Sequence, residues 1–384
     1  MNVLSLFDGI SIAQQSLKEL NIPVEKYYAS EIDKYAISIT QKNFPDTIQL
    51  GDVSKLGREV PYPEELLNGG CDLIIFGSPC TDLSIAKKNR EGLKGKSSGL
   101  FYEAVRIIKD IKPKYFIMEN VNSMPKEAKQ MITAELFGIE PIMINAALVS
   151  AQNRKRLFWV GKRVEDTYER VEISQPEDKG ILLKDILEDE VDEKYYVKLS
   201  DRWNTKRLKE DCVGYNPYSD TPINDKARAL NTVCGSATTK NATTIKVGHI
   251  NSDGQGDRIY SPEGKSVNLS ANGGGRGAKT GLYAITPNGY VTNDSKPEIG
   301  QARRVYQPEG KVVPLNNWSP LTNHNQQIRK LTPIECEKLQ SLPKNYTAKG
   351  ITEKGEINIS DTQRYKLLGN GFNCEVIKHI LRQL

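Results

Sequence analysis

Cysteine and histidine are scarce in this chain of 384 residues, which holds six of the first and three of the second. The cysteines, Cys71, Cys80, Cys212, Cys234, Cys336 and Cys374, are scattered and no two share a C-x-x-C spacing, which excludes a disulfide scaffold. His249, His324 and His379 lie far apart, so a zinc site or a Ser-His-Asp triad has little to build on, and no metal is expected. Long apolar runs are missing too. The longest, Leu73 to Phe76 and Ile142 to Val149, fall well short of the roughly 20 residues of a bilayer span and suit buried strands. The N-terminus lacks a basic stretch and meets a carboxylate at Asp8, so it does not read as a signal peptide, and a cytoplasmic protein is expected. No Gly-x-Gly-x-x-Gly is present, which counts against a dinucleotide. What remains is enough apolar residue for a core, 38% of the chain, and a length that allows two domains.

The first 160 residues alternate short apolar runs with helical patterns. Val3 to Phe7, Lys26 to Ser30, Leu73 to Phe76, Tyr115 to Met118, Ile142 to Ala146 and Leu157 to Val160 read as strands. Ile12 to Leu20, Lys34 to Asn43 and Leu100 to Ile111 read as helices, and a final amphipathic helix is expected from Cys374 to Leu384. Strands alternating with helices predict an α/β fold with a doubly wound, mostly parallel sheet, whose chemistry sits at the carboxyl ends of the strands. From Glu165 to Glu193 twelve acidic residues face three basic ones, which reads as a solvated connector. Beyond it the balance inverts. Thr221 to Lys330 carries fourteen Lys and Arg against seven Asp and Glu and holds thirteen of the thirty glycines, the mark of a loop-rich, polyanion-facing region. Within it Arg258-Ile-Tyr-Ser-Pro-Glu-Gly-Lys265 matches Arg304-Val-Tyr-Gln-Pro-Glu-Gly-Lys311, with a degenerate third copy at Lys226 to Thr232, and the turn chemistry predicts repeated hairpins.

Each expected strand end carries a chemically pointed residue. Asp8-Gly9 follows the first strand, where backbone N–H groups turn toward a ligand. Glu31 follows the second, at the place of an acid that takes a ribose diol, and Asp52 follows a third short run, where an acid can accept from an adenine amino group. Each alone is as well read as surface; in this order they point to an adenosine-containing cofactor. Gly77-Ser78-Pro79-Cys80 displays a thiol after the run ending at Phe76, and the basic stretch from Lys87 to Lys96, with Lys88, Arg90 and Lys94, reads as a lid for an anionic substrate. Glu119-Asn120-Val121 puts a carboxylate at the next strand end, and Gln152-Asn153-Arg154-Lys155-Arg156 leads into another, its two arginines on one side by the two-residue period of a strand.

These motifs, in this order, resemble the DNA cytosine-5 methyltransferases that use S-adenosylmethionine. The resemblance covers nearly the whole chain outside the basic block and extends to Arg329-Lys-Leu-Thr-Pro333, Glu335, Leu339-Gln340 and Gly369-Asn370. It implies a Rossmann-like methyltransferase domain at 1–164, a smaller loop- and strand-rich target-recognition domain at 165–345, and a segment at 346–384 returning to the first. It implies cofactor contacts from Phe7, Asp8, Gly9, Ile10, Glu31, Ile32, Asp52, Val53, Pro79, Leu100 and Asn370, with Cys80, Glu119, Arg154 and Arg156 catalytic. Ser84, Lys87, Lys88, Arg90, Arg276, Arg303 and Arg304 are the implied DNA contacts. Cys80 would attack C6 of a flipped-out cytosine, Glu119 would stabilise the ring at N3 and the amino group, and Arg156 would hold O2, with no metal required.

The implied partners are double-stranded DNA and a cognate restriction endonuclease encoded nearby, in a restriction-modification or phage and host DNA-protection role, with the enzyme a monomer. An RNA-directed branch of the same family, a non-catalytic DNA-binding protein and a nicotinamide dehydrogenase are the alternatives. The basic block, the trio Cys80, Glu119 and Arg156, and the missing glycine fingerprint argue against them in turn. Departures from the family pattern are Ser11 in the cofactor loop, Thr81 after the cysteine, and Gly371-Phe372 after Asn370.

Overall fold

The computed structural model describes residues 1–78, 96–196, 258–262, 264–271, 279–285 and 327–384, together with the short segments 214–216, 221–223, 245–249, 305–306 and 312–313. The chain divides into two compact units, one formed by Met1–Ile181, Val267–Asn272 and Pro333–Leu384, the other by Leu182–Ser266 and Gly273–Thr332.

The first unit is built on β1 (Asn2–Leu6), α1 (Ile12–Glu19), β2 (Lys26–Ser30), α2 (Lys34–Asn43), β3 (Ile48–Gln49), β4 (Leu73–Phe76), α3 (Lys96–Ile111), β5 (Tyr115–Val121), α4 (Lys126–Glu135), β6 (Ile142–Asn145), β7 (Lys155–Val164) and β8 (Thr167–Arg170). The strands lie in the order β3-β2-β1-β4-β5-β7-β6, with β8 on β7. From β3 to β5 every pairing is parallel, whereas β7 runs antiparallel to both β5 and β6. This is a doubly wound α/β sheet. The chain works outward from β1 in one direction and restarts beside it at β4, so the crevice past the ends of β1 and β4 is the switch point where such folds bind ligands.

The local reasons are plain in the burial. All four residues of β4 are buried, as are Val3, Leu4 and Leu6 of β1, because helices cover both faces of a parallel sheet and leave no polar side to alternate with. Helix α2 starts at Asp33, whose carboxylate accepts from the N–H groups of Tyr35 (2.9 Å) and Ala36 (3.3 Å). Residues 165–181 fold with this unit because β8 extends the sheet antiparallel to β7.

The second unit has β9 (Gly214–Asn216) and β10 (Thr221–Ile223) as one antiparallel pair, then β11 (Ile245–His249), β12 (Arg258–Ser261) and β13 (Leu282–Ile285), a second pair β14 (Val305–Tyr306) and β15 (Val312–Val313), and β16 (Gln327–Lys330). Its main sheet has the order β11-β12-β13-β16. The repeated segments do not fold alike. The second copy starts a hairpin, with Val305 opposite Val313 and Tyr306 opposite Val312. The first copy corrects the expectation of a hairpin, since β12 pairs antiparallel with the preceding β11 and parallel with β13. Its turn is anchored elsewhere, with the carbonyls of Pro262 and Gly264 accepting from the N–H groups of Lys184 and Leu183 at 3.0 Å each. The degenerate third copy lies outside the described residues.

The chain then returns to the first unit with α5 (Pro333–Leu339), the hairpin β17 (Lys349–Thr352) and β18 (Gly355–Asn358), α6 (Asp361–Asn370) and α7 (Cys374–Leu381). Helix α7 packs on α1, where Lys378 pairs with Glu19 at 2.6 Å.

Candidate active site

At the end of β1 the backbone turns sharply. Phe7, Gly9 and Ser11 have φ of 54°, 61° and 55°, three left-handed residues in five. The turn closes on itself through Asp8, whose buried carboxylate accepts from the hydroxyls of Ser11 and of Tyr27 (2.9 Å). Burial lifts Asp8 from its ordinary 3.8 to about 6, against the lowering effect of those hydroxyls. The Gly9 N–H donates to Glu31 Oε2 at 2.8 Å, while Glu31 Oε1 accepts from the N–H groups of Ile32 (2.7 Å) and Asp33 (2.8 Å). A carboxylate at the end of β2 therefore braces the turn after β1. Nothing lies within 4 Å of where a Cβ on Gly9 would sit, so this face of the turn is open. Beside it Ile32 is 74% exposed. After β3, Asp52 Oδ1 accepts from the Ser54 N–H (2.9 Å) and hydroxyl (2.8 Å), which hold its carboxyl below the usual range, while Val53 is buried.

A second cluster forms on β5 and β7, beside the end of β4. Glu119 stands opposite Phe158 in the β5–β7 register, and Arg156, two residues earlier on β7, shares that face as its diagonal neighbour. Arg156 Nε meets Glu119 Oε1 at 2.7 Å, with both side chains largely buried. The other carboxylate oxygen faces the turn after β4. A Cβ added to Gly77 would come 3.2 Å from Glu119 Oε2 and 3.1 Å from the ring of Phe372. Glu119, Arg154, Arg156, Phe158 and Phe372 line one small cleft.

Arg154 is turned to a different task. Its guanidinium is buried and donates to the carbonyls of Gly371 (2.8 Å) and Gly369 (3.3 Å) and to Asn268 Oδ1 (2.8 Å). It ties the entry of β7 to the turn between α6 and α7. Gly369 is required there, because a Cβ would fall 2.5 Å from the backbone nitrogen of Ala271. Asn370 is exposed at the end of α6, and Leu100 is half-buried on α3. The structure thus gathers Phe7, Asp8, Gly9, Ile10, Glu31, Ile32, Asp52 and Val53 around the ends of β1 to β3, and Glu119 with Arg156 on the adjacent strands β5 and β7. Pro79, Cys80, Ser84, Lys87, Lys88, Arg90, Arg276, Arg303 and Arg304 lie outside the described residues. Tyr27, Asn268, Glu337, Tyr346 and Arg364 had no signal in the sequence, since their partners are set by tertiary contact and not by spacing.

Among the described residues no group of three or more His, Cys, Asp or Glu is placed to hold a metal, and no helix is long and apolar enough to cross a membrane.

Comparison with known proteins bears on this geometry. The family model of the C-5 cytosine-specific DNA methylases matches residues 1–384. The chain is 28% identical to the orphan methyltransferase M.SPRI of Bacillus phage SPR, over 100% of this chain and 97% of that protein. It is 24% identical to the type II methyltransferase M.HhaI of Haemophilus parahaemolyticus, over 99% of this chain and 93% of that one. In fold it is similar to the Entamoeba histolytica methyltransferase EhMeth, with a TM-score of 0.56 at 17% identity, covering 100% of this chain and 97% of the other. The S. pombe Dnmt2 methyltransferase gives the same TM-score at 15% identity, covering 99% and 97%.

Proposed function

The chain belongs to the C-5 cytosine-specific DNA methylase family, and from that premise we propose that it moves the methyl group of S-adenosylmethionine to C5 of a flipped-out cytosine through a covalent Cys80–C6 adduct. The observation that carries this reading is the Glu119–Arg156 pair. One carboxylate oxygen is held by Arg156 Nε, and the other faces Gly77, three residues before Cys80. An acid oriented in this way suits a flat heterocycle whose N3 and amino group gain charge as C6 is attacked.

The residues around β1 to β3 fit an adenosyl cofactor. Glu31 and Asp52 offer carboxylate acceptors for a ribose diol and an amino group, the exposed Ile32 and the half-buried Phe7 offer apolar surface for a ring, and the open face of Gly9 lets a ligand approach the backbone. When bound there, S-adenosylmethionine supplies an electrophilic methyl group.

In the proposed sequence the Cys80 thiolate forms a bond to C6, and the electron pair displaced from the 5,6 double bond makes C5 nucleophilic. Glu119 hydrogen-bonds N3 and the amino group, and Arg156 holds O2 through its terminal guanidinium N–H groups, its Nε being bound to Glu119. C5 would accept the methyl group with S-adenosylhomocysteine as the leaving group, then lose its proton to solvent, and the returning electron pair would expel the Cys80 sulfur as thiolate. Because C6 is shielded in a duplex, the base must first leave the stack, at a cost of a few kcal/mol. The basic second unit, with Arg276, Arg303 and Arg304, and the basic stretch with Ser84, Lys87, Lys88 and Arg90, are proposed to offset that cost through contacts to DNA. The second unit is the proposed target-recognition region. The orphan designation of M.SPRI supports a DNA-protection role with no paired endonuclease.

The test is base-resolution cytosine-methylation sequencing of DNA from a methylation-free bacterial host that expresses the chain, beside the Cys80→Ala variant. Methylcytosine at one short sequence, absent in the variant, is expected. An unmethylated genome despite soluble protein that binds S-adenosylmethionine would overturn the proposal.

A further inference from the structure

The turn at residues 7–11 holds two non-glycine residues, Phe7 and Ser11, in left-handed conformations, and such backbone persists only where its surroundings over-determine it. The contacts of Asp8 with Ser11 and Tyr27 tie the inner side of the turn, and Glu31 braces Gly9. Neither holds Ile10. Ile10 is buried, and its carbonyl accepts from the Tyr346 hydroxyl at 2.8 Å, across 336 residues of sequence.

Tyr346 is itself held on both sides. The fully buried Glu337 of α5 accepts from the N–H of Asn345 (2.7 Å) through one oxygen and from the N–H of Thr347 (2.8 Å) through the other. Arg364 of α6 completes the anchor, donating to Glu337 at 2.9 Å and to the Thr347 hydroxyl at 3.0 Å. The Tyr346 carbonyl accepts from Asn43 at the end of α2, at 3.1 Å. One carboxylate thus grips the amides flanking Tyr346 and fixes where its phenol reaches.

We infer that Tyr346 is a positioning residue for the cofactor turn: the Glu337–Arg364 anchor presents its hydroxyl to the Ile10 carbonyl and keeps residues 7–11 in the shape that receives S-adenosylmethionine. The inference rests on the reading of that turn as the cofactor loop. It makes the C-terminal segment a determinant of cofactor affinity through a residue that need not touch the cofactor. A hydroxyl that only stabilised the fold would leave the Michaelis constants where they are. One that shapes the turn acts on cofactor binding and leaves DNA binding alone.

The experiment is Tyr346→Phe in the full chain, which removes a single oxygen atom. S-adenosylmethionine binding is measured by calorimetry, and methyl transfer to DNA by steady-state kinetics. Loss of one buried hydrogen bond is expected to raise both the Kd and the KM for S-adenosylmethionine about ten-fold. The KM for DNA, and kcat at saturating cofactor, are expected to stay within about two-fold. Glu337→Gln, which weakens the grip of Arg364, is expected to move cofactor KM in the same direction. A folded Tyr346→Phe variant that binds the cofactor as tightly as the parent overturns this inference alone, as does a change confined to kcat or to the KM for DNA. A parent chain that fails to bind S-adenosylmethionine overturns both this inference and the reading beneath it.

Discussion

Asp8 pays for its place in the cofactor turn. Burial raises it to about 6, and the hydroxyls of Ser11 and Tyr27 recover only part of that shift. Because its folded value lies above the unfolded one, its contribution to stability is fully present below about pH 4 and is lost as pH rises through about 6. A rise from 3.8 to about 6 corresponds to roughly 3 kcal/mol. Asp8→Asn, which keeps a polar group of the same shape, is expected to be more stable than the parent by about 2 kcal/mol at pH 8 and no more stable at pH 4. Urea unfolding at the two pH values checks this, and equal differences at both would refute it. Glu119 and Arg156 were legible as single residues because one follows an apolar run and the other leads into one. The bond between them required the β5–β7 register, which no local spacing encodes.

Between elements, a close constraint near the proposed reaction centre lies where the end of β4 meets the turn between α6 and α7. Gly77 lies against both Glu119 and the ring of Phe372, one of the departures from the family pattern. Gly77→Ala is expected to push on the ring and the carboxylate together and to lower the methyl-transfer rate about ten-fold, since small displacements of reacting groups are costly. Adding Phe372→Val is expected to restore most of that rate. A double variant no faster than Gly77→Ala would show that the ring is not what the new methyl group meets. Strands β1, β2, β4, β5, β6 and β7 and helices α1, α2, α3 and α7 were readable from periodicity, with ends shifted by a few residues. Helices α4, α5 and α6 were not anticipated, because their apolar positions are sparse and they are held by packing and buried polar contacts such as Glu337 with Arg364.

In the whole molecule, charge is divided unevenly, and the basic stretch from Thr221 to Lys330 falls almost entirely in the second unit. Arg276, Arg303 and Arg304 lie outside the described residues, so alanine substitution of each is the direct probe. An arginine on a guanine edge would relax the methylated sequence at one position, at about 1–3 kcal/mol. An arginine on a phosphate would weaken all sequences alike and reduce the salt dependence of binding by about one ion. At least one of the three is expected to alter the methylated sequence and the others to act uniformly, as methylation profiles and binding titrations in salt would report. If all three variants keep the parental sequence and salt slope, these arginines do not meet DNA.

The amino-acid order alone determined the alternating α/β plan, the strand-end placement of Asp8, Glu31 and Asp52, and the resemblance that ties them to one chemistry, whereas β5 runs on through Val121 and takes Glu119 inside the strand. Each follows from short-range pattern, because apolar periodicity defines an element and the residue after it sits at its end. The antiparallel place of β7, the role of Arg154 as a buried tie to the turn after α6, the unlike pairing of the two repeat copies and the reach of Tyr346 to Ile10 came from folding. These join residues up to hundreds of positions apart, and their energy comes from burial and from polar groups that must find partners once water is gone.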